Sequence, residues 1–294
     1  MALALRASRP ERPYRELTLG RSKLSFYLGD CLKVLPSLPA ASIGVIVTSP
    51  PYNIGVDYRT YEDDMPRAEY LTWTERWTRA AARAMQPDGS LFLNVGAKPT
   101  DPWVPLEVAQ VARHHFKLQN TIHWVKSIAI DRDAAGANAG LDKDLAVGHY
   151  KPINSERFIN DCHEFIFHFT PGGKTRLDRR AVGVPYQDKS NIKRWGGDGA
   201  AKEDKRCRGN TWFIPYETIQ SRDRDRPHPA SFPPKVPEQC IRLHGLERAG
   251  AVMDPFLGLG NTAIAAARLG LDFVGIEMDR YYLDEAVRRI KSEV

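Results

Sequence analysis

The chain has 294 residues, with 42 basic and 36 acidic side chains and a formal net charge of +6. That length suits one large domain or a domain with an insertion, and it buries a sizeable core. No apolar run approaches the length of a helical membrane span, so a membrane partner is not expected; Cys31, Cys162, Cys207 and Cys240 include no C-x-x-C pair, so neither a structural zinc site nor a disulfide framework is expected.

The basic start of the chain, residues 1–23, reads as a mobile arm without a signal h-region, and a reducing cytoplasm is the expected compartment. Leu24 to Leu28 alternates as a strand, followed by Gly29-Asp30 and a short helix from Cys31 to Leu38. Ser42 to Thr48 is a continuous apolar run of the kind a strand shows when both its faces are covered, and it stops at Pro50-Pro51. Tyr70 to Met85 has helical periodicity, Ser90 to Val95 reads as a strand, Leu106 to His115 as a helix, and Leu118 to Lys126 as a strand. Residues 127–226 are rich in Gly, Asp, Lys and Arg, with one clear strand at His163 to Thr170 and a short run at Trp212 to Ile214. Order returns with a helix from Pro234 to His244, a strand at Ala251 to Met253, a helix at Asn261 to Leu269, a strand at Phe273 to Glu277 and a helix at Tyr281 to Lys291. Strands alternating with helices predict an α/β fold around a largely parallel sheet.

The segment from Asp254 through Phe256, Gly258 and Gly260 to Thr262 joins a strand to a helix. Glycines there permit a sharp turn and close backbone approach to a ligand, and an acid such as Glu277 at the end of the next strand can accept from ribose hydroxyls. The spacing also fits a dinucleotide fingerprint. Against a dehydrogenase stand the Asp254-Pro255-Phe256 lead and a chain that ends one helix after Glu277, so that the missing strands must come from the N-terminal half. Ser49-Pro50-Pro51-Tyr52 follows the Ser42 to Thr48 strand, at the carboxyl end where open α/β sheets bind ligands. Consecutive prolines fix the backbone and remove two N–H donors. The acceptors left exposed suit an amine, and the tyrosine ring suits a planar base.

Ser49-Pro50-Pro51-Tyr52 resembles the [D/N/S]-P-P-[Y/F] motif of amino-methyltransferases, and the Asp254 to Gly260 segment resembles their cofactor motif. Leu28-Gly29-Asp30-Cys31, Trp124-Val125-Lys126, His163-Glu164-Phe165 and His228-Pro229-Ala230-x-Phe232-Pro233 are similar to further family elements in the same order. With the catalytic motif first, the order is that of the β-group of DNA amino-methyltransferases. The resemblance implies a Rossmann-like methyltransferase fold in permuted order: a catalytic half over residues 24–126, an inserted target-recognition region over 127–226 and a cofactor half over 227–294. S-adenosylmethionine is the implied cofactor, bound by Asp30, Asp254, Phe256, Gly258, Gly260, Thr262 and Glu277, with His228 and Phe232 beside it. Double-stranded DNA is the implied substrate, and a homodimer and a cognate restriction endonuclease are further partners that the family suggests.

The implied chemistry is base flipping followed by direct methyl transfer to an exocyclic amine, with no metal and no covalent nucleophile. Hydrogen bonds from the amine to Ser49 and the Pro50 carbonyl pull the nitrogen toward a tetrahedral form and free its lone pair. Cytosine-C5 chemistry needs a thiolate in a Pro-Cys pair, and no cysteine here follows a proline. Serine before Pro-Pro and the H-P-A-x-F-P element favour cytosine N4, with adenine N6 the alternative target. An RNA substrate and a non-catalytic DNA-binding protein of the same fold are the other readings.

From Lys174 to Arg226 there are fourteen basic and eight acidic residues, an excess equal to that of the whole chain. Phosphate neutralisation dominates non-specific DNA affinity, so this segment is expected to wall a DNA cleft through Arg179, Arg180, Lys193, Arg194, Lys205, Arg206 and Arg208.

Overall fold

The computed structural model describes residues 12–136, 139–148, 154–195, 203–215 and 231–294. The chain opens with strands β1 (Arg15–Leu19) and β2 (Ser22–Leu28), then the short helix α1 (Cys31–Val34). Strand β3 (Ile43–Thr48), helix α2 (Arg67–Ala84), strand β4 (Met85–Val95), helix α3 (Val104–Ala112) and strand β5 (Lys117–Val125) follow. Next come β6 (Ser127–Ile130), α4 (Arg132–Ala135), β7 (Leu145–Gly148), β8 (His163–Thr170), α5 (Ser190–Trp195) and β9 (Thr211–Phe213). The chain closes with α6 (Lys235–His244), β10 (Ala251–Asp254), α7 (Asn261–Arg268), β11 (Asp272–Glu277) and α8 (Arg280–Glu293).

Among the described residues one nine-stranded sheet runs in the order β1-β2-β11-β10-β3-β4-β8-β5-β9. Strands β2, β11, β10, β3 and β4 are parallel, while β8 is antiparallel to both its neighbours β4 and β5. Val45 and Val47 of β3 pack with Val236, Ile264 and Leu283 from α6, α7 and α8. Ile46 of the same strand packs on the other face with Tyr70, Trp77 and Val108 from α2 and α3. Covering both faces is why β3 reads as a continuous apolar run rather than an alternating one. Helix α2 buries Tyr70, Thr74, Trp77, Ala81 and Ala84, a stripe at helical spacing that faces the sheet. Gly44 marks a register shift in β3, where any side chain would lie 2.0 Å from the Ala249 carbonyl oxygen.

The adjacent strands β3 and β10 lead the chain in opposite directions, β3 through α2 to β4 and β10 through α7 to β11. Their shared carboxyl ends form a topological switch point, where the two helical connections part to opposite faces and leave a crevice. The two segments singled out from the sequence both end there.

Several expected boundaries change. Residues 15–19, expected in the N-terminal arm, form β1 and pair with β2 in register from Arg15–Phe26 to Leu19–Ser22. The helix expected to Leu38 stops at Val34 and tightens into a 3-10 turn over Leu35–Ser37, because Pro36 cannot donate to the next turn. Strands β8 and β9, inside the expected recognition interval, belong to the main sheet, and β6 and β7 form an unforeseen ribbon.

Candidate active site

A cleft opens at the switch point between β3 and β10. Ser49, Pro50, Pro51 and Tyr52 line it on one side, and Asp254, Phe256, Gly258 and Glu277 on the other, with Asp30 and Phe232 at its edges. Folding thus unites two motifs that lie about 200 residues apart in the chain.

On the β10 side of the cleft, Glu277 ends β11. Its Oε2 accepts from the Gly258 amide at 2.9 Å and its Oε1 from the Asp279 amide at 2.9 Å. Burial outweighs these bonds and pushes its carboxyl up to about 7. Asp30 lines the cleft while its Oδ1 caps α1 by accepting from the Leu32 amide at 2.9 Å. Phe232 is held beside the cofactor loop by a 2.7 Å bond from Asn261 Nδ2 to its carbonyl. His228 lies outside the described residues.

Three of the residues expected to touch the cofactor also tie the cleft to the core. Asp254 is 2 % exposed, and it accepts from Thr48, Thr262 and the Phe256 amide at 2.7, 2.8 and 3.1 Å. Burial pushes its carboxyl up to about 7. It braces the cleft wall from within. Thr262 is fully buried behind that wall. Gly260, at φ 78°, starts α7 in a left-handed turn, and a side chain there would lie 3.0 Å from Ala286 Cβ, so α8 packs closely on it. Gly258, at φ 50°, does line the cleft.

On the catalytic side, Ser49 Oγ lies 2.6 Å from Tyr52 Oη. Tyr52 donates to Glu164 Oε2 at 3.0 Å, and Asn94 Nδ2 lies 2.6 Å from both Tyr52 Oη and Glu164 Oε2. Lys126 Nζ meets Glu164 Oε1 at 3.0 Å. Tyr70 of α2 donates to the Pro51 carbonyl at 2.8 Å and anchors the motif on the helix. Asn94, Lys126 and Glu164 were not foreseen as site residues. Their signal was present: an amide in the apolar run of β4 and an acid in that of β8 are costly inside a sheet unless partnered.

The loop after Tyr52 folds over the cleft. Asp63 is buried and accepts from the amides of Asn53, Ile54 and Val56. Tyr58, Thr60 and Tyr61 reach the cleft opposite Asp279 and Tyr282, while Trp73 of α2 packs against Phe256 at 5.4 Å between ring centroids. These aromatic walls were also missed, since spacing alone does not show which loop residues turn inward.

The basic segment is fastened to the core at several points. The Asp178 amide is bonded to the Leu243 carbonyl and Thr175 to the Gly89 carbonyl, at the end of the sheet away from Ser49. Arg179 and Arg180 follow Asp178 and are exposed, and the Arg180 carbonyl accepts from the Gly183 amide close to the Arg206 carbonyl. Arg208 is half-buried and donates to the Val182 carbonyl at 2.9 Å, which fastens the segment to the core. Lys193 and Arg194 of α5, and Lys205 and Arg206, are exposed on an excursion closed by the Val184–Arg206 bridge. Among the described residues no cluster of three metal-ligating side chains occurs and no helix is long and apolar enough to cross a membrane.

Comparison with known proteins agrees with this architecture. The N6/N4 DNA methylase family model matches residues 43–288. The type II methyltransferase M.ScaI of Streptomyces caespitosus is 30 % identical over 288 residues, covering 96 % of this chain and 84 % of its own. M.BglII of Bacillus subtilis is 27 % identical, covering 91 % of this chain and 69 % of its own. Among solved structures, the PvuII cytosine-N4-specific DNA methyltransferase shares the fold with a TM-score of 0.64 at 18 % identity, covering 97 % of this chain and 94 % of that one. A Thermus thermophilus protein classed among DNA modification methylases, solved with S-adenosyl-L-methionine, matches with a TM-score of 0.57 at 26 % identity, covering 92 % of this chain and 93 % of that one. The family draws its methyl group from S-adenosylmethionine. The chain belongs to the N6/N4 DNA methylase family and is a DNA methyltransferase.

Proposed function

We propose that the chain methylates the exocyclic N4 of cytosine in double-stranded DNA, at a specific site. The observation that carries this reading is Ser49 at the end of β3, a hydroxyl rather than a carboxylate at the head of Pro-Pro-Tyr, turned into the cleft beside the Tyr52 ring.

The cleft fits S-adenosylmethionine by its donor set. Carboxylates at Glu277 and Asp30 suit ribose hydroxyls and an adenine amine, and Phe256 and Trp73 offer apolar and π surface to the methionine end. When bound, the cofactor supplies an electrophilic methyl group on a sulfonium. Ser49 and the Pro50 carbonyl accept hydrogen bonds from the flipped amine and aim its lone pair. Tyr52 stacks on the base, a contact worth about 1–3 kcal/mol. Alignment of this kind carries effective molarities of about 10⁵–10⁸ M.

The test is nucleoside mass spectrometry of DNA from cells expressing the protein, with sequencing of the modified context. N4-methylcytosine in one recurrent context is the expected result. N6-methyladenine instead would overturn the base assignment, and cofactor binding without any methylated base would make the protein a non-catalytic member. Ser49→Ala should bind S-adenosylmethionine normally and leave the DNA unmethylated; full activity in that variant would remove Ser49 from the reaction.

A further inference from the structure

The bonds around Tyr52 have a direction. Tyr52 carries one hydroxyl hydrogen, and the Glu164 carboxylate can only accept, so the 3.0 Å contact takes that hydrogen. The 2.6 Å contact between Ser49 and Tyr52 must then be donated by Ser49. With its own hydrogen committed, Ser49 Oγ is left with lone pairs, which is the form an amine needs opposite it.

The arrangement is held from several sides. Asn94 places its amide nitrogen 2.6 Å from both Tyr52 Oη and Glu164 Oε2, and Lys126 holds the second carboxylate oxygen at 3.0 Å. The Lys126 and Glu164 side chains are only 19 % and 11 % exposed, so the pair is largely sheltered from solvent screening. Gly96 completes it: a Cβ there would sit 3.0 Å from the Tyr52 ring and 3.1 Å from Glu164. A side chain at that position would push the ring and the carboxylate apart.

We propose that Glu164 is the terminal proton acceptor of methyl transfer, reached from the base amine through Ser49 and Tyr52, with Asn94 and Lys126 as positioning residues. The inference rests on reading the Ser49 cleft as the methyl-transfer site. The amine lone pair forms the bond to the methyl carbon as the carbon–sulfur bond breaks toward sulfur. As that bond forms and positive charge builds on the nitrogen, one of its protons moves to Ser49 Oγ in the same step. The Ser49 proton passes to Tyr52 Oη and the Tyr52 proton to Glu164 Oε2, which becomes a neutral acid and later returns the proton to water. A phenylalanine at position 52, which the family motif also admits, would break this path while keeping the stacking ring.

The experiment is single-turnover methyl transfer at saturating S-adenosylmethionine and DNA, in H₂O and in D₂O, for the wild type, Glu164→Gln, Tyr52→Phe and the double variant. Positioned acid–base groups contribute about 10²–10⁴-fold, so each single variant should slow transfer by about 10²-fold, with cofactor affinity unchanged. The solvent isotope effect of the wild type should vanish in both, and the double variant should be no slower than either single one, because both changes cut the same chain. Wild-type speed in Glu164→Gln would overturn the proposal. So would a slowed variant that keeps the wild-type isotope effect, which is the mark of a structural role, or a wild type indifferent to D₂O. If Glu164→Gln fails to fold, Tyr52→Phe decides alone: wild-type speed there rejects the path. An inactive Ser49→Ala beside a fully active Glu164→Gln would reject the relay and leave the site assignment standing.

Discussion

Thr48 donates its hydroxyl hydrogen to Asp254 at 2.7 Å, across 206 positions of chain. This bond ties the strand that delivers Ser49 to the strand that opens the cofactor loop. Burial holds the Asp254 carboxyl up to about 7, well above its ordinary value, so its ionisation costs folded-state stability as pH rises through about 4 to 7. Thr48→Val removes one of the bonds that offset this cost. The variant should lose about 1–3 kcal/mol, and more at pH 8 than at pH 6, because a bond to the charged form is the stronger one. Urea denaturation at the two pH values checks this; equal losses would mean that Asp254 does not change its ionisation between them.

Glu277 carries a second prediction. Its carboxyl is pushed up to about 7 by burial, while hydrogen bonds from ribose hydroxyls favour the ionised form. S-adenosylmethionine affinity should therefore rise between pH 6 and pH 8, with proton release near pH 6.5. Glu277→Gln should weaken binding by about 1–3 kcal/mol at pH 8 and flatten the pH dependence. Isothermal titration in two buffers of different ionisation enthalpy reads both, and an unchanged affinity would place the nucleoside elsewhere.

The far end of the sheet holds a buried chain of neutral donors. Asn120 Nδ2 lies 2.9 Å from His168 Nδ1, His168 Nε2 lies 3.0 Å from Ser90 Oγ, and His244 Nδ1 lies 2.9 Å from the same hydroxyl. Burial pushes both imidazoles below their ordinary value, His168 to about 3. The unfolded chain then binds more protons below about pH 6.5, so this contribution is complete above that pH and is lost as pH falls toward 3. By linkage, the His168 shift alone amounts to about 2 kcal/mol between pH 7.5 and pH 5. Denaturation of His168→Asn beside the wild type at those two values isolates it from the opposite trends of Asp254 and Glu277. An identical pH slope in both proteins would refute the assignment.

The placement of basic residues separates two DNA-binding predictions. Neutralising Lys193 and Arg194 together should flatten the salt dependence of DNA affinity by about one unit of slope per lost phosphate contact. Neutralising Arg179 and Arg180, exposed just after the Asp178 bond to the Leu243 carbonyl, should leave the slope where it was. Fluorescence anisotropy across a salt series measures both. The reverse pattern would place the DNA against Arg179 and Arg180 instead.

Local chemistry carried much of this protein in its sequence. The Ile43–Thr48 strand, the Pro-Pro stop behind Ser49, the strand-to-helix turn at Gly258 and Gly260 and the strand ending at Glu277 are set by backbone sterics and burial over a few residues, and these local elements were legible in the sequence. The order of these motifs was enough to place both halves in one permuted α/β sheet. Tertiary structure decided what depends on strands meeting across long stretches of chain. Asn94, Lys126 and Glu164 come from three separate segments, and only the pairing of β4 with β8 and of β8 with β5 brings them to Tyr52. Asp254, Thr262 and Gly260 are joined by the fold to Thr48 and to α8, bonds and packing that the motif alone does not show, because a motif fixes which residues recur and not what they meet. The basic excess was likewise plain from composition. Which way each charge faces was not, since charge adds along a chain while phosphate is met only by the side of the molecule where the folded backbone sets each charge.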